Sequence, residues 1–284
     1  MNNIFNIKRF GLVFRKDIME SWKRYTLMFM TMLGIITVVL VWQYYIYYEH
    51  YEKTGYLQTN INQAALVSLS LMFGIFGVIL ASTFMSPMNS KLKRITYLLS
   101  PSSHFEKYLT RWLIITVGYI ISFFVALWAA DSLRVALLTT RFPEFDIAFV
   151  DLSKLAYADD SWYKSGYLFP KPAFILILSL YFLVQSLFIL GSTFWEKLSF
   201  VKTFTAIVLI IILYILICRW AILFFYDGLD GFGNVLNSFE PVNKDEFDEK
   251  SVLSLISSII SAFTLSLWTL AFFRFRESAI INKI

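Results

Sequence analysis

Few residues in this sequence combine the types and spacing that enzyme chemistry requires. Two Ser-x-x-Lys strings, Ser90–Lys93 and Ser161–Lys164, hold a hydroxyl and an amine at the separation used in some acyl-transfer sites, but neither has the companion motifs of such sites. The acids Asp131, Asp151, Asp159 and Asp160 are the candidates for a lipid-directed enzyme, and no spacing links them into a pair. The string GLDGFG at 228–233 could cradle an anion, yet Asp227 and Asp230 would repel one. No phosphate loop of the G-x-x-x-x-G-K-[ST] type is present, so ATP hydrolysis by that route is excluded. Cys218 is a lone cysteine, and His50 and His104 sit in different segments, so no cluster has metal-ligand spacing. The chain is therefore expected to be no enzyme, with no catalytic, cofactor-binding or metal residue of its own.

Three polar residues stand in or beside apolar runs and form a candidate intramembrane polar site: Arg219, Asp131 and Gln185. A basic group at mid-span costs about 2.5–3.5 kcal/mol on insertion scales. Arg219 therefore either snorkels outward among Trp220, Phe224 and Tyr226, or meets an acid such as Asp131 or an anionic substrate. No span carries Asp or Glu in its middle, which weakens the case for a proton-coupled pump.

The elements that must position these residues are membrane helices. The chain is 58% hydrophobic and only 16% charged, against about 25% charged in soluble domains. Apolar runs long enough to cross a bilayer are expected at about 25–48, 64–86, 108–130, 173–194, 203–226 and 251–273. The fold class is all-α integral membrane, a single transmembrane domain over 1–284. Residues 4–22 alternate apolar and basic side chains near helical spacing, which predicts an interfacial helix or a basic juxtamembrane tail. Ser70, Gly74, Gly77 and Ala81 form a small-residue face suited to close helix packing. The long polar loop is expected over 131–172.

Charge sets the expected orientation. With the N-terminus inside, Lys and Arg number 16 inside and 8 outside, with Arg219 in a span. Acids number 5 inside and 15 outside. The positive-inside rule then puts both termini in the cytoplasm. The basic excess is a topology signal, and nucleic-acid binding is not needed to explain it.

Between spans two and three lies a basic connector, 86–111. Pro87 ends the preceding helix, and Asn89 can cap a short one with Leu92, Ile95 and Leu99 on one face and Lys91, Lys93 and Arg94 on others. Ser100-Pro101 stops it, and Ser103-His104-Phe105-Glu106 reads as a capping box that starts span three.

The string RITYLLSPSSHFEKYLTRWL at 94–113, the Ala-Ala-Asp131 that closes span three, and GSTFWEKLSFVKT at 191–203 resemble permease subunits of ABC-2-type ATP-binding-cassette transporters. The six-span layout is similar across the whole chain. The resemblance implies a cytoplasmic coupling helix at Asn89–Leu99 that docks on a separate ATPase subunit through Lys91, Leu92, Lys93, Arg94, Ile95 and Leu99. It also implies a second permease subunit, as a homo- or heterodimer, with ATP bound by the partner and no cofactor on this chain. A bacterial-type cell (inner) membrane is the expected location. The longest outer loop follows span three here, whereas the family usually elaborates the segment before span six. The Glu-Ala-Ala loop of importer permeases is absent, which favours an exporter. The alternative is a non-transporting scaffold or assembly partner in an envelope complex.

Overall fold

The computed structural model describes residues 5–54, 61–88, 94, 95, 97, 99, 101–157, 169–195, 197–225 and 249–281. Six helices are long and apolar enough to cross a membrane. They are α1 (Ile7–Thr54), α2 (Ile61–Ser82), α3 (His104–Arg141), α4 (Lys171–Phe194), α5 (Ser199–Phe225) and α6 (Glu249–Ile281). The protein is a helical, multi-pass membrane protein.

The interfacial helix expected over 4–22 is not a separate element. It is the first part of α1, which runs 48 residues without a break because the segment contains no proline and only Gly11 and Gly34. At 1.5 Å per residue α1 is about 72 Å long, against about 30 Å of hydrocarbon. Its lower turns therefore extend past the bilayer core, and Ile7, Leu12, Met19 and Trp22 stay exposed there. Further along, Met32, Ile36, Leu40, Tyr44 and Tyr48 recur every fourth residue and bury one face, chiefly against α3.

α2 ends earlier than the expected residue 86. After Ser82 the amides of Thr83 and Phe84 bond three residues back, to Leu80 and Ala81, and the chain tightens into a 3₁₀ turn at Ser86–Met88 around Pro87. Beyond it, Arg94, Ile95, Tyr97 and Leu99 are helical. Asn89, Lys91, Leu92 and Lys93 lie outside the described residues, as do Ser161–Lys164 and the glycine string at 228–233.

The Ser103–Glu106 capping box is present in both directions and starts α3 where the sequence places it. Span three was expected to close at 130, with a loop from Asp131. Instead α3 continues to Arg141, because Asp131 and Arg134 neutralise one another one turn apart within the helix. A π-turn at Ile114–Gly118 interrupts α3 midway. Beyond Arg141, Phe142 and Phe145 stack against Tyr48, and Ala156–Tyr157 pairs in parallel with Phe169–Pro170.

α4 packs most extensively on α6 and α2. Gly77 of α2 lies against the Tyr181 ring of α4, with no room for a Cβ. This is the close packing expected of the small-residue face, although Gly74 has open space. Gly191 meets Thr203 across the α4–α5 turn in the same way. The turn itself places the exposed Leu198 at φ 54°, a left-handed conformation that costs about 1–3 kcal/mol outside glycine. Above that turn, every side chain of α5 from Leu209 to Ile217 is exposed.

The first turns of α1, the start of α3 and the end of α6 meet at one end of the bundle, through Phe5–Phe105, Phe105–Phe272 and Tyr108–Phe275. Both ends of the described chain thus lie on the same side.

Candidate functional site

That end of the bundle holds a polar junction organised by Arg111, near the start of α3. Its guanidinium is almost fully buried and reaches two other segments. It donates to Asp17 Oδ1 of α1 at 2.9 Å and to Ser86 Oγ in the turn after α2 at 3.4 Å, and it shares a cleft with Tyr97 of the connector. Arg24 of α1 also donates to Ser86 Oγ. The Arg111–Asp17 pair is 3% and 7% exposed, so its coupling is shielded from water.

A second clamp lies one turn and a half toward the N-terminus of α3. Glu106 is fully buried and accepts from Arg9 Nε at 2.7 Å and Nη2 at 2.8 Å, a bidentate pair. The same carboxylate accepts the Asn6 amide at 2.8 Å and the Ser103 amide at 3.0 Å. One side chain therefore caps α3 and fastens the start of α1 to it. Lys107, also buried, sits 5.5 Å from the Tyr97 ring centroid. Arg94 turns back to donate to the Met88 carbonyl at 3.0 Å, anchoring the connector to the 3₁₀ turn.

Between these clamps is a small cleft lined by Val13, Lys16, Asp17, Glu20, Tyr97, Lys107, Thr110 and Arg111. Several buried polar atoms here have no partner among the described residues: Thr110 Oγ1, Asp17 Oδ2, Arg111 Nε, and Arg24 Nε and Nη2.

Of the expected partner-contact residues, Arg94 is engaged with Met88, while Ile95 and Leu99 are 47% and 77% exposed. The intramembrane trio does not assemble. Asp131 pairs with Arg134 at 2.7 Å and accepts the Val150 amide at 2.8 Å, so it is not a partner of Arg219. Arg134 also donates to the Ala148 carbonyl and lies 3.9 Å over the Tyr44 ring, a buried knot that ties the segment after α3 to α1 and α3. Arg219 is on the exposed surface of α5. Gln185 is fully buried in α4, with neither amide atom partnered among the described residues. No group of three or more metal-ligating side chains occurs among the described residues.

Sequence reasoning passed over Asp17, Arg24 and Arg111, counting them only as topology charges. The signal was the rarity of acids on the basic side. Of the five there, Asp17 and Glu106 are buried partners of arginines, and Glu20 and Glu277 pair within their own helices. An acid surrounded by cations marks a place where the fold uses it.

No protein-family model, curated protein or solved structure matches this chain.

Proposed function

We propose that the chain is the membrane-spanning permease subunit of an export-type ATP-binding-cassette transporter, driven by a separate ATPase subunit. One observation carries this: Tyr97 of the connector, Asp17 of α1 and Arg111 of α3 line one buried polar cleft, beside Ile95 and Leu99, which no described residue covers. Ile95 and Leu99 project from the connector, while Tyr97 between them faces inward to the cleft that Arg111 also lines. A partner gripping the outer face of the connector would displace Tyr97, and with it Arg111, Asp17 and Ser86. Movement would then pass to α1 and α3 together, because the Glu106 clamp prevents their ends from sliding apart.

In this account the hub end is cytoplasmic, as the positive-inside rule requires, and both termini are cytoplasmic in a bacterial-type inner membrane. The ATPase subunit binds ATP, and a second permease subunit completes the pathway.

The test is co-expression with a candidate ATPase. Deleting residues 89–99 should abolish co-purification and uncouple ATP hydrolysis from transport. Unchanged co-purification and unchanged ATPase stimulation would overturn the coupling role. A partner that co-purifies through this face but has no ATPase activity would favour an assembly scaffold.

A further inference from the structure

We infer that the cleft beside Arg111 holds the phosphate of an anionic phospholipid whose headgroup carries a hydroxyl. The first support is charge. Lys16, Lys107 and Arg111 line the cleft, and Arg24 adjoins it through Ser86, against two acids, Asp17 and Glu20. Both acids are already engaged, Asp17 by Arg111 and Glu20 by Lys16 at 3.6 Å. The cleft, its half-exposed rim and the adjoining Arg24 thus carry four cations against two acids, and an anion relieves that imbalance.

The second support is unmet hydrogen bonding. Thr110, 1% exposed, lines the cleft with a hydroxyl that has no partner among the described residues. Arg111 Nε and two nitrogens of Arg24 are donors with no partner among the described residues. A phosphate has the acceptor oxygens to meet these groups. Asp17 Oδ2 is an acceptor with no partner among the described residues. A bare phosphate cannot satisfy it, but a headgroup hydroxyl can donate to it.

Depth supplies the third support and selects lipid over a soluble anion. Three segments change from polar to apolar at this level: α1 after Arg24, α2 before Ser86, and α3 after Arg111. Trp22, Tyr25, Trp112 and Trp268 cluster in sequence about the same boundary, as expected of side chains at headgroup level. Basic pockets between helices on the cytoplasmic side are suited to acidic headgroups.

The test uses the full chain purified in a neutral detergent. Thermal unfolding is followed with added phosphatidylglycerol, phosphatidylcholine or inorganic phosphate, and retained lipid is read by native mass spectrometry. Phosphatidylglycerol should raise Tm and remain bound, whereas phosphatidylcholine and inorganic phosphate should do neither. One basic group near an anionic surface contributes about 1 kcal/mol, so Lys107→Gln or Arg24→Gln should weaken phosphatidylglycerol binding about fivefold. Lys107→Arg should restore it. If Lys107→Gln fails to fold, Lys16→Gln at the half-exposed rim gives the same readout. The exposed Lys197→Gln, on the α4–α5 turn, serves as the control and should bind normally. Equal stabilisation by phosphatidylcholine, unchanged binding in the cleft variants, or equal stabilisation by inorganic phosphate without lipid would overturn the proposal.

Discussion

A double-mutant cycle on Asp17 and Arg111 measures how firmly α1 is held to α3. Asp17→Ala leaves the Arg111 guanidinium, 3% exposed, with the neutral Ser86 hydroxyl as its hydrogen-bond acceptor among the described residues. Removing one partner of a buried ion pair typically costs about 3–5 kcal/mol. Here the adjoining cleft can admit water to the orphaned cation, so about 2–3 kcal/mol is expected. Arg111→Met should cost less, about 1–2 kcal/mol, because Arg24 remains near Asp17 and the methionine stem refills the space. In the double variant both members of the buried pair are removed together, and Arg24 keeps its bond to Ser86. It should therefore lie within about 1 kcal/mol of the wild type, a coupling energy of about 2–5 kcal/mol. The assay is unfolding by SDS titration in mixed micelles, with ΔG extracted for each of the four proteins. If the two single costs add to within about 0.5 kcal/mol in the double variant, the pair is not what joins these helices.

Other outcomes follow from the same packing. Asp131→Ala strands the fully buried Arg134 and the Val150 amide and should cost about 3–5 kcal/mol, with faster proteolysis of the 142–157 loop; adding Arg134→Met should recover most of the loss. Gly77→Val drives side-chain atoms into the Tyr181 ring and should cost about 1–3 kcal/mol in thermal unfolding, relieved by Tyr181→Ala. Ser103→Ala removes the cap that accepts the Glu106 amide and should cost about 1 kcal/mol. Leu99→Asp, on a residue 77% exposed, should leave stability within about 0.5 kcal/mol yet abolish co-purification of the proposed ATPase partner.

The sequence alone determined whatever depends on neighbours along the chain. Hydropathy runs located six spans, Ser103 and Glu106 announced the start of α3 from three residues apart, and a glycine face announced close packing. Local rules also misled in places. The amphipathic segment 4–22 continues into the first span because no residue interrupts the helix. The charges at 131–134 read as a loop because their mutual neutralisation within α3 is not visible to a hydropathy count.

Only the tertiary structure decided which charges meet. Asp17 and Arg111 are 94 residues apart, and Arg9 and Glu106 are 97 apart. Their pairing depends on the rotation and vertical register of α1 against α3, which the four-residue stripe from Met32 to Tyr48 sets elsewhere in the helix. Packing likewise buries the Asp131–Arg134 pair, one turn apart within α3, and leaves Arg219 on the exposed surface of α5. Side-chain chemistry was legible residue by residue, but charge in a membrane protein acquires its role from burial, and burial is a property of packed helices.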